Sequence, residues 1–322
     1  MNYESKVKIV FMGTPLFGAI ILENLVKTPY KPILVITAPD KPKGRKQIST
    51  PPPVKVVAQK YSILIEQPNK IEDCKLKIKN LKPDLGIVAA YGQMLPKTIL
   101  DIPKYGFLNV HPSLLPRWRG PSPIQYTILS GDKKIGVTIN LISEKMDQGD
   151  IVAQREWKIE NGKEQMGKIN SEELSKKLAE LGSELLIETI PKWIAGEIKP
   201  KPQDHSKATY TKILKKEDGK IDWSKSAHEI ERQIRAFYPW PGSFCSWDGK
   251  RMKVLKAEVL KCTKTCPKGV LGKTFLAPDD KIAVQTGKDF LVITELQLEG
   301  KKPMSSEDFL NGHPDFIGTI LK

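Results

Sequence analysis

The sequence predicts two domains: an α/β domain on a Rossmann-like parallel sheet, then a smaller all-β barrel. Three observations carry this. The first half holds continuous apolar runs separated by helical stretches, the pattern of a parallel sheet covered on both faces. A Pro- and Lys-rich stretch, EIKPKPQDHSKA after Gly196, reads as a linker. Beyond it, short apolar runs alternate with turn residues, as in small barrels. The expected division is residues 1–190, a linker over 191–208, and 209–322.

The run KIVFM (8–12) reads as a buried first strand. Gly13 makes the turn, Thr14 is placed to cap, and Pro15 suits the first helical position of a helix reaching about Lys27. Runs 32–37 (PILVIT), 62–66 (SILIE) and 84–91 (DLGIVAAY) supply the next strands. The turn after the first strand is not G-x-G-x-x-G, so a dinucleotide site has no support. Two further strands are expected at Gly106–Val110 and Gly136–Ile142. Residues 170–190 form an amphipathic helix: Asn170 caps it with Glu173 three residues on, and Leu174, Leu178, Leu181 and Leu185 make one apolar stripe. In the second half, Ser226 and Glu229 are spaced as a capping box. SFCSW, Asp248-Gly249 and RMKVLKAEVL read as a hairpin, followed by strands in GVLGKTFLA, KIAVQT and DFLVITELQL.

Composition narrows the function. The chain has 322 residues, 39% hydrophobic, enough for packed cores. No apolar run approaches the ~20 residues that span a bilayer, and the start lacks a signal-peptide layout. Cys74, Cys245, Cys262 and Cys266 have no zinc-ligand spacing, and HEIER (228–232) lacks the second histidine of HExxH; no metal is expected. With no secretion signal, four cysteines fit reduced thiols and a cytoplasmic location. No zipper or exposed apolar stripe calls for a second copy, so a monomer is expected. The net charge of +15 is spread over both halves, +8 in 1–190 and +6 in 207–322. A Lys-rich habit explains this as well as a polyanionic partner does, and nucleic acid is the obvious such partner.

The chemistry concentrates in FLNVHPSLLPRWRG (107–120) and MDQGD (146–150). Asn109 and His111 are two residues apart on one strand and so share a face. Pro112 ends that strand, which puts both at the carboxyl edge of a parallel sheet, where ligands bind in open α/β sheets. Asp147 lies in the loop after the next apolar run and is expected at the same edge. An amide, an imidazole and a carboxylate suit a developing oxyanion, a proton relay and a counter-charge for the ring. Each alone is commonly structural; their meeting is what gives them meaning. The loop PDKPKGRKQISTPPP (39–53) is long for a βα connection and concentrates Lys41, Lys43, Arg45 and Lys46 beside the same edge. Arg117 and Arg119 are placed to contact phosphate or, equally, to pair with a buried carboxylate.

The motif NVHPSLLPRWRG with a downstream MDQGD resembles that of the folate-dependent formyltransferases, and the similarity runs from FMGTP to GKKPMSSEDFL. TAPDKPKGR, SLLPRWRGPSPIQ and AFYPWPGS resemble the branch that acts on tRNA. Pro112 and Gln148 depart from frequent family choices, but neither replaces a catalytic group. The resemblance implies an OB-like C-terminal barrel that contacts tRNA. It also implies catalysis by Asn109, His111 and Asp147, with 10-formyltetrahydrofolate as formyl donor. It places the folate against Ser113, Leu114, Leu115 and Pro116 and the backbone of Val88, Ala89, Ala90 and Tyr91. The implied acceptor is the α-amino group of initiator methionyl-tRNA, its acceptor stem met by the basic loop with Arg45. Formylation of a sugar amine, hydrolysis of the formyl folate, and RNA binding without catalysis are the competing readings. The basic loop and basic C-terminal half argue against the first two, the intact polar trio against the third.

Overall fold

The computed structural model describes residues 7–44, 47–157, 167–261, 269–277 and 280–322. Arg45, Lys46, Cys262 and Cys266 lie outside the described residues, as does the side chain of Lys43. The chain forms two compact units. The first comprises Met1–Pro123, Lys134–Lys158 and Leu174–Lys212; the second comprises Ile124–Lys133, Ile159–Glu173 and Ile213–Lys322.

In the first unit the chain runs β1 (Ile9–Gly13), α1 (Leu16–Leu25), β2 (Leu34–Ile36), β3 (Lys41–Lys43), β4 (Ile48–Thr50), α2 (Pro53–Lys60), β5 (Leu64–Glu66), α3 (Lys75–Leu81), β6 (Leu85–Ala89), α4 (Lys97–Leu100) and β7 (Phe107–His111). After α5 (Pro123–Ser130), most of which belongs to the second unit, come β8 (Gly136–Leu141), β9 (Ile151–Glu156) and α6 (Ser171–Ile194). Among the described residues seven strands form one sheet, ordered β5-β2-β1-β6-β7-β8-β9. Strands β1, β2 and β6 are buried throughout because helices cover both faces, which is why they read as unbroken apolar runs. The chain builds outward from β1 through β2 to β5, then returns to lay β6 on the other side of β1. That reversal makes a topological switch point at the carboxyl ends of β1 and β6. Gly13 and Gly18 allow the close approach there: a Cβ on either would stand 2.8 or 2.6 Å from the Ala89 carbonyl oxygen.

Four expectations need correction. The sheet is not wholly parallel: β8 runs antiparallel to β7, and β9 to β8. Apolar runs encode burial, not direction, so the sequence could not show this. Thr14 does not cap α1; its hydroxyl donates to the Tyr91 carbonyl at 3.0 Å, and Pro15 is the N-cap residue. The 39–53 stretch is not all loop: β3 and β4 within it pair as antiparallel strands. The segment 191–208 is not merely a connector, since Gln203 within it is 5% exposed and bonded into the first unit.

The cap expected at residue 170 is present at the start of α6. Asn170 Oδ1 accepts from the Glu173 amide, and Glu173 returns the bond to the Asn170 amide, both at 3.0 Å. Leu174, Leu178 and Leu185 are buried, and Gly182 lets α6 close on Val110 and Val137.

The second unit contains α7 (Ala227–Ala236), β10 (Ser243–Trp247), β11 (Lys250–Leu260), β12 (Thr274–Leu276), β13 (Ile282–Gln285), β14 (Phe290–Leu298), β15 (Met304–Ser305) and α8 (Ser306–Gly312). The strands form an antiparallel sheet ordered β10-β11-β14-β13-β12, with β15 on β14. The hairpin turn is Asp248-Gly249, both at positive φ, as a two-residue turn requires. The C-terminal residues bridge the two ends of the sheet: Ser246 exchanges backbone hydrogen bonds with Lys322, while Thr274 and Gly272 pair with Thr319 and Leu321. The resulting barrel encloses Met252, Val254, Leu291 and Ile293, with Ile230 and Ile234 of α7 packed into the same core.

Candidate active site

The site grows from β7. Because β7 is parallel to β6, its last residue, His111, reaches the same carboxyl edge as Ala89. Asn109 pairs across the sheet with Val88 on one side and Asn140 on the other. Its Nδ2 donates to Asn140 Oδ1 at 3.3 Å, and Asn140 is fixed in turn by donating to the Leu141 carbonyl at 2.9 Å. Asn109 therefore has a set orientation while remaining half-buried, and its amide has a further hydrogen beyond the one given to Asn140.

His111 is 4% exposed. Its Nε2 lies 3.0 Å from the carbonyl oxygen of Trp118. A carbonyl only accepts, so Nε2 carries a hydrogen and the ring's other nitrogen, Nδ1, is the basic one. Nδ1 sits 3.7 Å from Asp147 Oδ1, an ion-pair separation too long for a hydrogen bond. The second oxygen, Oδ2, accepts from the Gly120 amide at 2.7 Å. Gly120 has φ +112, and a Cβ there would stand 2.7 Å from the Thr211 hydroxyl oxygen, so the position needs glycine.

Asp147 reaches the ring by an unexpected route. Since β8 is antiparallel, Leu141 ends beside Leu108, near the start of β7. The loop that follows must double back to bring Asp147 to His111. Asp147 itself holds a left-handed φ of 52°, and Trp118, whose carbonyl holds the imidazole, has φ 62°. Non-glycine residues in this region are strained and collect at functional sites.

The residues expected at the folate divide into two kinds. Val88 and Ala89 are buried at the end of β6, and Ala90 is exposed at the switch point with φ 53°. Tyr91 is buried in the core with Val10, Met12 and Cys74, and burial pushes its phenol pKa upward. Ser113 and Leu115 serve the loop's own architecture. The Ser113 hydroxyl donates to the Arg117 carbonyl at 2.6 Å. The Ser113 carbonyl and the Leu115 amide both bond to the Thr138 hydroxyl, and Gln154 donates to the Leu115 carbonyl. Leu114 and Pro116 remain half-buried. Lys41 is exposed on the basic hairpin.

Arg119 follows neither of its expected roles. It is wholly buried. Its guanidinium donates to Gln203 Oε1 from Nε at 3.0 Å and Nη2 at 2.8 Å, to the Tyr210 hydroxyl at 3.1 Å, and to His205 Nδ1 at 3.0 Å. These partners are acceptors without formal negative charge, and together they take four of the five N–H hydrogens of a buried charge. Arg117 instead lies over the Trp118 ring at 4.2 Å, a cation–π contact. Asn140, Thr138, Trp118, Gly120 and Gln203 were not singled out in the sequence. No single-residue signal marks them, because their roles come from register and loop return.

Among the described residues no three His, Cys, Asp or Glu side chains gather as a metal site, and no helix is long and apolar enough to cross a membrane.

Comparison with known proteins bears on this geometry. A family model described as formyl transferase matches residues 6–190, and one described as formyl transferase, C-terminal domain, matches 213–314. A methionyl-tRNA formyltransferase of Bacillus velezensis is 46% identical over 317 residues, covering 98% of this chain and 97% of that protein. Another, of Bacillus subtilis, is 42% identical over 318 residues, covering 98% and 97%. Among solved structures, HypX from Aquifex aeolicus in complex with tetrahydrofolic acid superposes with a TM-score of 0.62 at 18% identity, covering 97% of this chain and 48% of that one. An N-formyltransferase from Helicobacter canadensis, solved with folinic acid and dTDP-3-aminofucose, gives 0.65 at 19% identity, covering 89% and 98%. At these identities the structural likenesses speak to the fold.

Proposed function

The chain belongs to the formyl transferase family, and from that premise we propose that it moves the formyl group of 10-formyltetrahydrofolate to the α-amino group of initiator methionyl-tRNA. The observation that carries this reading is the pairing of His111 with Asp147, with Asn109 two residues before His111 on the same strand, in a chain alike, end to end, to methionyl-tRNA formyltransferases.

The reaction forms a bond from the amine nitrogen to the formyl carbon and breaks the bond from that carbon to the folate nitrogen. One proton leaves the amine and one reaches the departing nitrogen. The free amide hydrogen of Asn109 donates to the carbonyl oxygen as it gains negative charge, which lowers the barrier because the donor is already aimed. His111 acts through Nδ1, the nitrogen not committed to Trp118, taking up the amine proton and returning it to the leaving nitrogen. Asp147 stabilises the ring while it is charged, since its carboxylate faces Nδ1 and is itself oriented by the Gly120 amide.

The pterin of the donor would lie at the switch point between β1 and β6, beside Ala90 and the Leu114–Pro116 turn, where exposed backbone meets apolar side chains. Lys41, Lys43, Arg45 and Lys46 would meet the acceptor-stem phosphates, and the basic barrel would meet the body of the tRNA. The protein would act in the cytoplasm as a monomer.

The test incubates the protein with 10-formyltetrahydrofolate and one of three acceptors: charged initiator tRNA, a dTDP-amino sugar, or water alone. Formylmethionine on the tRNA is the expected product. Formyl transfer to the sugar alone, or release of formate at the same rate without acceptor, would replace this reading.

A further inference from the structure

Two loops carry the anchors of the proposed catalytic pair. Loop 118–120 supplies the carbonyl that holds His111 Nε2 and the amide that holds Asp147 Oδ2. Loop 147–149 carries Asp147 itself. Besides the Asp147 carboxylate, a side chain from outside both loops joins them. Gln203, 5% exposed, donates through Nε2 to the carbonyls of Asp147 at 2.8 Å and Gly149 at 2.7 Å. Through Oε1 it accepts two hydrogen bonds from the Arg119 guanidinium. Both donors and both acceptor positions of the amide are thereby used. The neighbouring chain tightens the same clamp: Trp118's amide donates to the Thr209 hydroxyl at 2.9 Å, and Arg119 exchanges backbone hydrogen bonds with Thr209 and Thr211.

We propose that Gln203 is a positioning residue, cross-linking the two loops so that the Asp147 carboxylate and His111 Nδ1 are held at their working separation. This rests on the assignment of chemistry to His111 and Asp147 made above. The charged and titratable groups around the cross-link include Asp147, His111, Arg119, His205 and Tyr210. An amide is required at the centre because one end must accept and the other donate. A carboxylate of the same shape satisfies only the Arg119 end.

Gln203→Glu exploits that asymmetry. It keeps both bonds from Arg119 and turns the two donated bonds into contacts between oxygens. Released from its anchor, the 147–149 loop shifts, and a displacement of about 1 Å in a catalytic group costs on the order of a hundredfold. The expected result is a cooperatively melting protein whose KM for 10-formyltetrahydrofolate stays within about threefold of the wild type. Its kcat, per folate-binding site, falls about tenfold or more, and the pH profile of kcat moves. Gln203→Met, which lacks both halves of the link, gives a second measurement under the same normalisation. Wild-type kcat and pH profile in Gln203→Glu would overturn the proposal. So would a loss of kcat that only tracks the folded fraction with an unmoved pH profile, or failure of both variants to fold, since Gln203 would then be structural. Absence of formyl transfer by the wild-type protein would instead remove the parent reading.

Discussion

The imidazole of His111 donates from Nε2 to the carbonyl oxygen of Trp118, 3.0 Å away. That single bond decides which ring nitrogen keeps a lone pair. It fixes the tautomer, turns Nδ1 toward Asp147, and does so from a residue held at φ 62°, where backbone conformation is costly for a side chain of this size. The strain is stable because the segment around it is pinned by Thr209 and Thr211.

From this follows the sharpest test of the trio. Asp147→Asn can still accept the Gly120 amide hydrogen, so it removes the charge without freeing the loop. Its kcat should fall a hundredfold or more, and that of His111→Ala likewise, with thermal melting little changed in the former. Steady-state kinetics at saturating formyl donor measure this. Turnover within a few fold of wild type in both variants would take the pair out of the mechanism.

Asn109 depends on Asn140 for its aim, which gives a second test. Asn140 is 1% exposed and presents its Oδ1 to Asn109 Nδ2. Asn140→Asp keeps that acceptor but places negative charge beside the donor proposed for the oxyanion. A misdirected or opposed oxyanion donor should cost about tenfold to a hundredfold in kcat, more than in KM for the folate. Equal losses in both parameters would point to substrate binding in place of transition-state stabilisation.

The cap of α7 supplies a stability test in the second unit. Ser226 and Glu229 form a reciprocal capping box, and Ile230 and Ile234 behind it are buried in the barrel core. The hydrogen bond from the Ser226 hydroxyl is the main reason the Glu229 carboxyl lies below its ordinary range. Ser226→Ala should reduce stability by about 1 kcal/mol in urea unfolding near neutral pH, since the helix then loses a cap. No change in midpoint would mean that burial of the apolar face alone holds this helix end.

What could be read in advance divides along a physical line. Both capping boxes, the Asp248-Gly249 hairpin and the buried strands β1, β2 and β6 are local patterns, set by residues close in sequence, and all are legible. Asn109 and His111 share a face because strand periodicity is local too. The direction of β8 is not local, so Asp147 was expected at the right place by the wrong path. Gln203 was hidden by its neighbours: prolines and lysines make the segment look like a tether, while one amide in it is buried among carbonyls of a distant loop. Arg119 was misjudged for the same reason, since nothing in its own surroundings announces Gln203, His205 and Tyr210 as partners.

The residue after Gln203 offers the last test, one of pH. Asp204 accepts hydrogen bonds from the Ser206 hydroxyl and amide and pairs with Lys207 at 3.0 Å. The Ser206 hydroxyl is the largest cause, followed by Lys207, of a carboxyl held down at about 2 from an ordinary 3.8. A carboxylate whose pKa is lowered by folding stabilises the folded state fully above its unfolded value, and the contribution is lost as pH falls from there through the folded value. Asp204→Asn should therefore melt below the wild type at neutral pH by a small margin, because the site is exposed and solvent screens it. The margin should hold down to about pH 4 and close as pH is lowered toward 2. Paired melting curves across that range are the measurement. A gap that stays constant with pH would show that the turn is held by shape alone and that the charge on Asp204 contributes nothing to it.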